Sequence, residues 1–124
     1  MSDAEAVVRE FCEAVVAKRP SELRRFFTDD VVYHNMPLDP ALGIDATMGV
    51  LEMFIGLCEA VRFDIHHLAV DGDTVLTERT DVFTMGGEER PLAVMGSFTV
   101  RDGRISLWRD YFDMAKASAV LGLG

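Results

Sequence analysis

Two hydrophobic periods divide the chain. Up to about residue 61 apolar positions recur every three or four residues, and from Arg62 they alternate with polar ones. The first period is that of amphipathic helices and the second that of strands. Ala4, Val7, Val8, Phe11, Cys12, Val15 and Val16 form one stripe and predict a helix over 2–18, opened by an S-x-x-E capping box of Ser2 and Glu5. Pro20 ends that helix and starts a short second one to about Phe27, because proline suits a first helical turn. VVYHN (31–35) reads as a strand, and residues 36–43, with two prolines and a glycine, as a loop. Asp45 is placed to cap a helix over roughly 46–61, whose stripe is Met48, Leu51, Phe54, Ile55 and Cys58.

Four strands follow at 62–70, 74–84, 90–100 and 104–112. Asp71-Gly72-Asp73, Gly86-Gly87 and Asp102-Gly103 join them, supplying the positive φ that tight hairpins need. Residues 113–121 predict a weak last helix. Helices first and a meander of long strands after is an α+β pattern. One strongly curved sheet should wrap around the helices and leave a pocket between them. A doubly wound parallel sheet does not fit, because no helix separates the last four strands.

Composition adds limits rather than detail. The 124 residues suit one domain, 1–124, with 49% apolar and 27% charged residues, a globular balance. A net charge of −9, from 21 acidic and 12 basic residues, disfavours nucleic acid, since no basic patch offsets it. No apolar run reaches the length of a membrane span. The N-terminus has no basic segment leading into an apolar one, so the expectation is a cytoplasmic protein. Cys12 and Cys58 sit among apolar residues and read as buried small hydrophobes. His66-His67 places one imidazole on each face of a strand, which cannot join in one metal site, and His34 should face solvent or an interface.

Polar residues at inward positions carry the chemical information. In LTERTDVF, Thr77, Arg79, Asp81 and Phe83 share a face. In SLWRDYFD, Trp108, Asp110 and Phe112 share one, and the two large aromatic residues argue that it points inward. In VVYHN, Tyr33 and Asn35 lie together. Three strands can thus present Tyr33, Asn35, Arg79, Asp81 and Asp110 to one interior. Two aspartates sharing an arginine, and a proton, would form an acid and a base. Pattern alone leaves a second reading open: Arg79-x-Asp81 as a surface ion pair, and Asp110 in solvent with Arg109 and Tyr111 turned inward.

YHNMP (33–37), TERTDVF (77–83) and GRISLWRDYFD (103–113) together resemble the hallmark segments of limonene epoxide hydrolases, in order and approximate spacing across nearly the whole chain. That family belongs to the nuclear-transport-factor-like superfamily, with ketosteroid isomerases, polyketide cyclases and non-catalytic binding domains. The resemblance implies a mixed, mostly antiparallel sheet forming a cone with a deep pocket, and a homodimer. It implies that Asp110 is the base that deprotonates the attacking water and that Tyr33 and Asn35 hold that water. Asp81 resembles the acid that protonates the epoxide oxygen, and Arg79 the bridge between both carboxylates. Leu92 and Val94 match pocket-lining positions, with Trp108 and Phe112 walling the same pocket. The chain departs from the limonene enzyme in a slightly shorter hairpin at Gly86-Gly87 and in lacking the extension before the first helix. Both border the pocket or its rim, so the substrate stays open.

The expected function is therefore one-step addition of water to a small hydrophobic epoxide, with no metal or organic cofactor implied and no nucleic-acid or membrane partner. Two rivals remain. One is a ketosteroid-isomerase-like or polyketide-cyclase-like enzyme; the ketosteroid-isomerase chemistry would need an oxyanion donor rather than a second carboxylate clamped by arginine. A non-catalytic small-molecule-binding domain of the same fold would leave five costly interior polar groups unexplained.

Overall fold

A computed structural model describes residues 3–122. Helix α1 (Asp3–Val16) is followed by a one-turn helix α2 (Pro20–Leu23) that runs into a 3₁₀ turn at Arg24–Phe26. Strand β1 (Phe27–Asn35), the two-residue β2 (Ala41–Leu42) and helix α3 (Ile44–Leu57) come next. The meander is β3 (Ala60–Asp71), β4 (Thr74–Met85), β5 (Glu88–Arg101) and β6 (Arg104–Tyr111), and α4 (Met114–Leu121) closes the described chain. The fold is α+β, with one mixed sheet in the order β2-β1-β6-β5-β4-β3. Among the described residues only the β1–β6 pair is parallel. That pairing brings the early strand beside the last one, so residues 33–35 meet residues 108–110.

The core lies between the sheet's inner face and the helices. Ala4, Val8, Phe11, Cys12 and Val15 are the buried stripe of α1. Phe11 packs edge-on against Phe26, Phe27, Phe98 and Trp108, with ring centroids 5.0–6.3 Å apart, a geometry that aromatic quadrupoles favour. At the β5–β6 hairpin Asp102 and Gly103 take φ of 52° and 77°. Successive left-handed residues match the twist of the flanking strands, which is why an Asp-Gly pair stands there.

Most elements fall where the periodicity predicts, with local corrections. The helix expected from residue 46 begins at Ile44 with Gly43 as its N-cap. Asp45 lies inside the first turn instead, where its charge still suits the helix dipole, and accepts from Arg24 at 2.8 Å. That helix stops at Leu57, because Ala60 already pairs with Thr84 in the β3–β4 ladder. β1 starts four residues before the expected strand. Its polar Thr28-Asp29-Asp30 stretch spans a register shift against β6, which masks the alternation. β2 lies within the expected loop. The two histidines of β3 do not alternate. A bulge between Ile65 and His67 turns both toward the outer face, where His66 Nε2 meets Thr80 Oγ1 at 2.7 Å and His67 Nε2 lies 3.8 Å from Glu78. Ser2 of the expected capping box lies outside the described residues.

Candidate active site

The inner face of β4 carries Val75, Thr77, Arg79, Asp81 and Phe83, all buried, as the two-residue period of a strand requires. The Arg79 side chain is completely covered. A guanidinium has five N–H donors, and all five are used. Nε and Nη2 donate to Asp81 Oδ1 and Oδ2, each at 3.0 Å. Nη2 also donates to Asp110 Oδ2 at 2.9 Å, and Nη1 to Asp110 Oδ1 at 3.2 Å and Thr77 Oγ1 at 3.1 Å. The rings of Phe63 and Phe98 stand 4.9 and 5.8 Å from the guanidinium carbon, favourable positions for a desolvated cation. This saturation is what makes a buried charge tolerable, since an unpaired one would be strongly destabilising.

Asp110 arrives from β6, opposite Asn35 of β1 in the parallel register, while Trp108 stands opposite Tyr33. Trp108 donates its Nε1–H to Asp110 Oδ1 at 2.7 Å and stacks on Tyr33, centroids 4.0 Å apart and planes 15° apart. Oδ1 of Asp110 thus accepts from two protein donors and Oδ2 from one. A carboxylate oxygen has two lone pairs, so Oδ2 keeps a free acceptor site. Tyr33 and Asn35 are both buried on the same face of β1 and both line the cavity beside Asp110.

Two buried carboxylates held by one guanidinium cannot behave as they do in water. Burial pushes the Asp81 carboxyl up to about 6, and the neighbouring Asp110 charge adds to it while Arg79 pulls the other way. Burial works against the Arg79 charge, but Asp110 and Asp81 outweigh it and hold that pKa well above its ordinary value. Burial, and then Asp110, raise the Tyr33 phenol, which stays a neutral donor. Cys12 is pushed up to about 12, chiefly by burial, so its thiol packs as a hydrophobe.

A cavity opens beside this cluster, between the sheet and helices α1, α3 and α4. Tyr33, Asn35, Asp81 and Asp110 line it, and every other lining residue is apolar. Leu92, Val94 and Phe112 lie in its wall. Trp108 does not. It is fully buried beneath Tyr33, packed against Phe98 and Phe11, and reaches the site through its stacking on Tyr33 and its hydrogen bond to Asp110. Sequence reasoning saw its large apolar ring and missed its N–H. It also left Thr77 without a part, although an inward hydroxyl two residues from Arg79 was a usable signal. Among the described residues, no three His, Cys, Asp or Glu side chains converge as a metal site, and no helix is long and apolar enough to cross a membrane.

An open, curved sheet closed over by helices is the architecture of NTF2-like and SnoaL-like cone folds. A SnoaL-like protein of Shewanella putrefaciens CN-32 superposes with a TM-score of 0.84 over 100% of this chain and 88% of its own, at 15% identity, a likeness of fold alone. Within that class the chain belongs to the limonene-1,2-epoxide hydrolase catalytic-domain family, which residues 2–119 match. Epoxide hydrolase EphG of Mycobacterium tuberculosis H37Rv is 43% identical over 88 residues, 69% of this chain. That match spans 57% of the relative's length. The structure of an M. tuberculosis limonene-epoxide-hydrolase-like epoxide hydrolase has 34% identity and a TM-score of 0.83, covering 98% of this chain and 91% of its own. The family resemblance legible in the three sequence segments therefore stands.

Proposed function

We propose that this chain hydrolyses a hydrophobic epoxide to a vicinal diol in one step, without a covalent enzyme intermediate. One observation carries the reading: a single buried arginine grips two aspartates that both face a cavity lined, apart from Tyr33 and Asn35, by apolar side chains. Epoxide opening needs a base for the weak nucleophile water and an acid for the leaving alkoxide. Each contributes typically about 10²–10⁴-fold. Asp110 takes the water's proton at the acceptor site left free on Oδ2, and Tyr33 and Asn35 orient that water. Asp81, whose carboxyl burial raises, gives its proton to the epoxide oxygen in the fraction of molecules that carry the acid form. The proton that Asp110 gains then returns to Asp81, so the cycle adds only water. The family membership and the two epoxide-hydrolase relatives support the same chemistry. A largely apolar wall suits a neutral substrate.

The test is a single turnover in oxygen-18 water with enzyme in excess, after a panel of cyclic, aryl and long-chain epoxides has identified one that is turned over. Label should enter the diol at the first turnover and none should enter the protein. Label in the peptide holding Asp110 or Asp81 means an ester intermediate and overturns the one-step reading. EDTA should leave the rate unchanged.

The same reading includes a homodimer. Met95 and Tyr111 are cross-strand partners on the outer face of the sheet, about half exposed, and Leu76 is exposed on the same face. Sedimentation equilibrium should find a dimer, and a monomer at micromolar concentration would remove this part.

A further inference from the structure

We propose that Gly96 is a positioning residue of the reaction: it is the gap in the sheet through which Arg79 reaches Asp110. The inference rests on the epoxide-hydrolase reading for its catalytic part, and on geometry for the rest. Arg79 and Asp110 sit on β4 and β6, with β5 between them. Neighbouring strands lie about 4.8 Å apart, so the guanidinium must cross over β5 to make its two bonds to Asp110. Thr77, Gly96, Asp110 and Asn35 are successive partners in one lateral row across four strands. The crossing therefore happens directly above Gly96.

A Cβ at position 96 would overlap Arg79 Nη1. It would also stand 2.7 Å from Asp110 Oδ1 and 3.0 Å from Thr77 Oγ1. Those three atoms are joined by the hydrogen bonds from Arg79 Nη1. Backbone conformation does not explain the glycine. Gly96 is not among the positive-φ residues, so alanine could adopt its φ and ψ. A glycine inside a strand weakens it unless something approaches closely, and here the approaching group is the catalytic pair itself. Each strand thus has its own part: β4 supplies the cation, β6 the base, and β5 an absence.

Gly96→Ala tests this, with Gly49→Ala as the control, since nothing lies within 4 Å of a Cβ at Gly49. Displacing a catalytic group by about 1 Å can cost about 10²-fold. Gly96→Ala should therefore lower kcat by about 10²-fold, with KM far less affected. The chain's one tryptophan supplies an independent readout. Its single indole N–H cross-peak in a ¹H–¹⁵N spectrum reports the bond to Asp110 and should move in Gly96→Ala but not in Gly49→Ala. A wild-type kcat or an unmoved cross-peak in folded Gly96→Ala overturns the proposal. If Gly96→Ala does not fold, it is introduced beside Arg79→Ala, Asp81→Asn and Asp110→Ala, a background first shown to fold with Gly96 in place, where the two atoms nearest the added Cβ are gone. Folding restored there supports the proposal, and folding still lost overturns it. If the wild type hydrolyses no epoxide, the functional reading fails, while the cross-peak and the neutralised background still decide whether Gly96 holds the pair together.

Discussion

The chain contains two Arg-x-Asp triplets on adjacent strands, and they end in opposite environments. Arg62-Phe63-Asp64 lies on β3 and Arg79-Thr80-Asp81 on β4. In each, the arginine binds its own aspartate and one further carboxylate from another strand. Arg62 reaches Asp64 at 2.9 Å and Glu89 at 2.9 Å, nearly the distances that Arg79 makes to Asp81 and Asp110. Yet Arg62, Asp64 and Glu89 are 46%, 39% and 61% exposed, while the side chains of Arg79, Asp81 and Asp110 are at most 5% exposed. Water solvates the first set, which therefore stays an ordinary ion pair. Excluded water turns the second into a strained balance of charge, in which one carboxyl holds its proton more tightly than it would in solvent. The motif and the bond lengths are shared. Burial alone separates a surface decoration from a candidate acid–base pair.

Replacing each arginine by alanine breaks this comparison most directly. Arg79→Ala leaves two buried carboxylates without their cation and should cost about 3–5 kcal/mol, seen as a Tm lower by about 10–20 °C, together with loss of turnover. A melting point within a degree or two of wild type would place Arg79 outside the buried set. Asp110→Asn keeps the shape and the bond from Trp108 but removes the base. It should lower kcat by at least about 10²-fold with the fold intact by circular dichroism. Retention of more than about a tenth of the wild-type kcat would remove Asp110 from that role.

The pH dependence is a smaller effect with a definite sign. Asp81 titrates near 6 in the folded chain and at 3.8 in its ordinary state. Between those values the folded chain binds more protons than the unfolded one, so the slope of unfolding free energy with pH is negative. The Asp81 contribution is complete below 3.8 and disappears as pH rises through about 6. Asp81→Asn carries no such titration. Its Tm relative to wild type should rise between about pH 4.5 and about pH 7.5, and a flat difference would refute the shift. Turnover should fall along the same limb as the acid form is lost. The smallest effect belongs to the outer triplet. Arg62→Ala should leave kcat within about twofold and Tm within about 2 °C. A larger loss would mean that the outer cluster supports the sheet more than its exposure allows.

Local chemistry by itself determined most of the fold. The change of hydrophobic period at Arg62, the Asp-Gly and Gly-Gly turns and the helical stripe of α1 each constrain neighbours in sequence, where side-chain spacing and backbone preference act directly. The five polar candidates were legible for the same reason, because alternation assigns a residue to a face. Alternation does not say which face is inside. Arg62-Phe63-Asp64 and Arg79-Thr80-Asp81 have the same spacing, and only the packing of α1 and α3 over one side of the sheet distinguishes them. The bulge at His66, the burial of Trp108 beneath Tyr33 and the crossing of Arg79 above Gly96 depend on residues 11 to 75 positions apart coming into register. Those contacts set where water is excluded. Exclusion of water, more than residue identity, makes two aspartates and an arginine capable of opposite proton-transfer roles.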